Sequence, residues 1–214
     1  MLVFLIVVPL AWAVLLWFHP GGDRDAIYAG LADDVTRWQI VHVGTLVFIG
    51  LMGVALFLLV RDLPGRAAAI SRLAILPFVL FYGAYEAVIG LGTGALVQHA
   101  NDAPPGDRAA VSDAIQSLQD NVVLGDPGIV SGIGILAWVV AVGAAVVAYR
   151  GQRAPVWTLV LLGLSVVIVS HPPPIGPVGL VCFAAAAGAL TLGRRESRAK
   201  PMTAPPAEAG MRPA

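Results

Sequence analysis

The chain has 214 residues, of which 58% are hydrophobic and only 12% charged. A water-soluble domain of this size carries about twice that charged fraction. The formal net charge of zero gives no basis for a nucleic-acid partner, and the single cysteine, Cys182, excludes an intrachain disulfide.

Six apolar runs read off in chain order: 2–18, 38–60, 73–97, 129–149, 156–170 and 175–192. Most approach the ~20 residues that a helix needs to cross the hydrocarbon of a bilayer. The charges between them are sorted. Ten of the thirteen Lys and Arg fall in 61–72, 150–155 and 193–214, whereas nine of the thirteen acids fall in 19–37 and 98–128. Basic loops stay on the cytoplasmic side. The expected fold is therefore all-α, a polytopic membrane protein of six transmembrane helices with both termini cytoplasmic. Residues 1–193 form one transmembrane domain, and 194–214 a basic, then Pro/Ala-rich, disordered tail. The expected partner is the lipid bilayer, with a second membrane protein or another copy of this chain as further candidates. The Arg-, Ala- and Gly-rich composition suggests a bacterial source, and hence the inner (plasma) membrane.

The first run ends in Trp17-Phe18-His19-Pro20 without a small-x-small cleavage pattern. It is expected to be a retained helix. The missing basic flank leaves the true start codon open. Ile27, Leu31 and Val35 suit a short surface helix, and Asp33 or Asp34 a cap for the second span. Trp17 and Trp38 fit an outer aromatic belt, and Tyr149 and Trp157 an inner one. In the longest outer loop, Val111, Ile115, Leu118 and Val122 form one apolar stripe. This predicts an amphipathic helix over about 107–122, with Asp107 as its cap. The stiff turn after Ser170 makes the fifth and sixth spans antiparallel neighbours.

Glu86 is the only acid within a run. It stands about 20 Å along the third span at 1.5 Å per residue. An ionisable group at that depth normally faces the bundle interior or a cavity. At helical spacing Tyr82, Glu86 and Thr93 fall within about 40° of one another. Gly90 and Gly94 make a small-xxx-small pair for close helix approach. The second span offers His42 and Thr45 at three-residue spacing, with Gln39 one turn outward.

All four histidines, His19, His42, His99 and His171, lie at outer span ends, and imidazole is the commonest metal ligand. No pair has the spacing of a metal motif, and no nucleophile elbow or phosphate loop occurs. The leading expectation is an outward-facing site that binds or transports a small ligand, metal ion or haem. It is lined by His42, Glu86, Tyr82, Thr93, Thr45 and Gln39, with His19, His99 and His171 at the rim. Two other readings stay open. One is an accessory subunit whose polar groups only fix packing; the other is a membrane-embedded metal hydrolase with Glu86 as base.

Overall fold

A computed structural model describes residues 1–21, 26–170 and 172–199. Every element among them is helical: α1 (Leu2–Trp17), α2 (Ile27–Leu31), α3 (Val35–Val60), α4 (Arg66–Asp102), α5 (Pro105–Gln119), α6 (Ile129–Gly151), α7 (Val156–Val169) and α8 (Ile175–Ala199). Four are long and apolar enough to cross a membrane: α3, α4, α6 and α8 over Ile175–Arg194. The apolar helices α1 and α7 are shorter. The sequence expectation of six full-length spans is thus met in length by four. The His19-Pro20 pair ends α1 at 16 residues, or roughly 24 Å. The last turns of α7, Ser165–Val169, tighten to a 3-10 helix with a longer rise per residue.

The helices form a closed ring. Neighbours in sequence pack as α3–α4, α6–α7 and α7–α8; α4 packs on α6, α3 on α1, and α1 on α8. The interior is filled by large side chains, with Trp12, Met52, Phe78, Trp138 and Phe183 all fully buried. Outside the ring, Val3, Val7, Leu76, Leu136 and Val160 stand more than half exposed. Such a continuous apolar exterior suits lipid rather than water.

Charge separates the two ends. At one end, Arg72 donates to the carbonyls of Val60 and Leu63 at 3.2 and 3.3 Å, and Arg194 approaches Asp62 at 4.0 Å. Cations there complement the carbonyl-rich terminus of α3. The opposite end carries the loops with most of the acids.

Several local expectations need correction. Asp34 stands at the start of α3 but makes no capping bond, because its carboxylate pairs with Arg37. Tyr149 is not in an interfacial belt: it is 2% exposed, and its hydroxyl donates to the Leu59 carbonyl at 2.7 Å. The surface helix α5 starts with Pro105 at its first position, where proline's missing N–H costs nothing, rather than at Asp107. It stops at Gln119, which leaves Val122 exposed. Helix α8 runs past residue 192 and takes up the start of the basic segment. The Pro/Ala-rich stretch 200–214 lies outside the described residues.

Helix α4 departs most from regularity. Pro77 has no N–H to give to the carbonyl four residues earlier. Directly after it the helix widens into π turns over Phe78–Tyr82, and again over Glu86–Gly92. Inserted turns of this kind change which residues share a face.

Candidate functional site

Trp38 and His42 stand four residues apart at the start of α3, so they share one face. Their rings stack at 3.9 Å with 29° between planes. His42 Nδ1 donates to the Trp38 carbonyl at 2.8 Å. That bond assigns the ring proton to Nδ1 and turns Nε2 towards α4. Trp38 Nε1 crosses to donate to the Gly90 carbonyl at 2.6 Å. Gly90 is required by this approach: a Cβ on it would stand 2.2 Å from His42 Cδ2 and 3.1 Å from Glu86 Oε1. Gly94 serves the same seam, since a Cβ there would lie 2.9 Å from Gln39.

His19, just beyond α1, brings a third ring. Its centroid lies 5.2 Å from Trp38 and 5.0 Å from His42, and its Nδ1 donates to the Pro20 carbonyl at 2.8 Å. Burial holds its imidazole below the usual value; the Pro20 bond opposes that, and the Arg37 charge adds to it.

From α4, Tyr82, Tyr85 and Glu86 face the same space. Tyr82 donates to the Val169 carbonyl of α7 at 2.8 Å, and the Tyr82 and Tyr85 rings lie 5.6 Å apart. Glu86 is 1% exposed, and neither carboxyl oxygen has a hydrogen-bond partner among the described residues. Its nearest cationisable neighbour is His42 Nε2 at 3.8 Å, beyond hydrogen-bonding reach. A buried carboxyl without donors is costly unless something else satisfies it.

These groups line a cavity of about 540 Å³ at the acidic end of the ring. Leu31, Ile89, Ile135 and Val169 supply apolar wall, and Gln119 of α5 closes one side. The exposed loop residues Gly21, Asp126, Ser170 and Pro172 form its rim. Gln119 is held by donating to Thr93 Oγ1 at 2.8 Å.

The structure brings together His42, Glu86 and Tyr82, with His19 beside them. Thr93 lies one layer behind, as the acceptor for Gln119. Thr45 is fully buried elsewhere, accepting from Trp12 Nε1 at 3.3 Å. Gln39 turns to the surface and donates to Gln98 at 3.1 Å. His99 is exposed and outside the lining, and His171 lies outside the described residues. Among the described residues, no three His, Cys, Asp or Glu side chains are grouped so as to hold a metal ion.

Sequence reading missed several contributors, Tyr85 of α4 among them. Trp38 was assigned to an aromatic belt, although its four-residue spacing from His42 was the available signal. Asp126 reaches the wall from the long loop, Gln119 from α5 and Ser131 from the first turn of α6, and their spacing to α3 or α4 carries no signal. No family model matches the chain, and neither a curated protein nor a solved structure matches it.

Proposed function

We propose that the protein is a six-span bacterial plasma-membrane protein with both termini in the cytoplasm. In this reading its outward-facing cavity binds, or carries across the bilayer, a small ligand. The sorting of basic and acidic loops to opposite ends of the ring supports that orientation. Helices α1 and α7 complete the ring as its two short spans, with the bilayer thinned or α1 and α7 flanked by interfacial side chains, as short spans allow. Trp17 and Trp157, each more than half exposed, suit such flanks.

One observation carries the functional reading: the Glu86 carboxyl is buried in the cavity wall, without a hydrogen bond among the described residues, facing His42 Nε2. A group in that state suits a ligand that supplies the missing donor. Glu86 acts as acceptor for a proton or cation, His42 is the second contact, and Tyr82 holds the wall to α7. Metal ion and haem are the less supported occupants, because the ligand-type side chains among the described residues are not clustered. A packing-only role draws support from Thr45, Thr93 and Tyr82, whose hydroxyls are each spent on a neighbouring helix or loop.

The test is a ligand screen on detergent-purified full-length protein, with metal analysis and a visible spectrum, beside His42→Ala and Glu86→Gln. Ligand-induced thermal stabilisation that both variants lose is the expected result. A protein that no compound stabilises, and whose variants only change its melting temperature, would support the packing role.

A further inference from the structure

The geometry points to a ligand class: the cavity is built for an organic ammonium cation, an amine or quaternary ammonium with an apolar body. This inference rests on the binding reading above and narrows it.

Consider what each kind of occupant would need. An anion needs positive partners, yet among the described residues the lining holds no lysine or arginine; its two imidazoles, His19 and His42, each give Nδ1–H to a backbone carbonyl, and Glu86 and Asp126 are both acids. A hard metal cation needs about six oxygen ligands. The wall offers one buried carboxyl. The carbonyls of Pro20, Trp38, Gly90 and Val169 each already accept a side-chain donor. A softer metal needs clustered ligands, which are absent among the described residues.

An organic cation needs different things, and each is in place. Its charge needs a carboxylate, and Glu86 stands in the wall with two oxygens that accept no hydrogen bond from the described residues. An ammonium also favours aromatic rings, whose faces attract cations. Trp38, Tyr82 and Tyr85 all line the same space. Its hydrocarbon part needs apolar wall, supplied by Leu31, Ile89 and Ile135.

The discriminating experiment reads charge selectivity inside the cavity separately from access to it. In full-length Cys182→Ser protein, Ile135→Cys puts one thiol on the wall. Its rate of modification is measured with three methanethiosulfonates: a small neutral methyl reagent that reads access, and a cationic trimethylammonium-ethyl and an anionic sulfonatoethyl reagent of similar reach that read charge. Each rate is normalised to the same reagent on a thiol at exposed Val122. The expected result is access for the neutral reagent and a cationic rate at least tenfold above the anionic one. Glu86→Gln should reduce that ratio several-fold. Calorimetry then compares choline with its uncharged isostere 3,3-dimethylbutan-1-ol, and butylammonium with butanol. At least one cation should bind tenfold more tightly than its neutral partner, and Glu86→Gln should remove the difference.

Access for all reagents at similar rates, with neutral isosteres binding equally well, would overturn the cation assignment while leaving a ligand cavity. No access even for the neutral reagent would overturn the cavity and the binding reading with it. Trp38→Phe serves as the control for misfolding. It keeps the carboxyl and weakens the ring, so binding of the cation should weaken while reagent access persists.

Discussion

At the residue scale, the site depends on one missing side chain. Gly90 lets the stacked Trp38–His42 pair lie against α4, and Glu86 Oε1 borders the same gap. Gly90→Ala would push a methyl into the His42 ring. Overpacking of that kind typically costs about 1–3 kcal/mol. The variant should melt lower than the parent and lose ligand stabilisation. An unchanged melting temperature with full binding would mean that α3 and α4 separate freely at this seam. His19 gives a pH prediction. Its imidazole is held below its ordinary value of 6.5, so the unfolded chain takes up the proton more readily. Stability attributable to His19 is complete above about pH 6.5 and declines as pH falls from there towards the lowered value. Melting curves from pH 8 to 5 should show this decline, and His19→Gln should flatten it. A parent and variant with parallel profiles would remove His19 as the cause.

At the scale of elements, α4 decides how much of the site the sequence can reveal. Glu86 announces itself as the lone acid of an apolar run, and the burial cost of a carboxyl points it inward whatever the register. Tyr82 follows because it is one turn away. His42 follows from its place in the adjacent span. Thr93 does not, because the π turns after Pro77 and at Glu86 alter the angular register on which its alignment was counted. Instead Tyr85, Glu86, Ile89 and Gly90 reach one wall. His19 was expected at the rim and lines the cavity, whereas Gln119 and Asp126 were beyond reach for another reason: each arrives from a surface helix or loop whose docking is set by tertiary packing. Tyr82 ties α4 to the end of α7 through the Val169 carbonyl. Tyr82→Phe should therefore cost about 1 kcal/mol, the usual worth of such a bond. Thermal or denaturant unfolding in detergent measures it. A neutral effect would mean that the carbonyl finds water from the cavity.

At the scale of the whole molecule, charge and ring closure make separate claims. The orientation proposed from the basic loops predicts which engineered thiols an impermeant maleimide reaches in intact cells. In a Cys182→Ser background, Asp120→Cys should label from outside, whereas Gly151→Cys should label only after the membrane is opened. Reversed labelling would invert the topology and turn the cavity to the cytoplasm. Of the fold, the helical content and the apolar segments were legible, because both follow from long apolar runs broken by Pro and Gly. The ring order was not, since no local pattern says that α1 must meet α8.

That contact between α1 and α8 has a consequence for how the chain is made. Ile6 of α1 lies against Gly188 of α8, so α1 leaves the ribosome about 170 residues before one of its main partners. Until residues 175–199 emerge, the α8-facing side of α1 has only lipid or a chaperone to rest on. Assembly of the ring is thus a late, long-range event, slower than the pairing of adjacent helices. A nascent chain halted after α7 would hold an open arc with α1 and α7 at its two free edges, which α8 then closes.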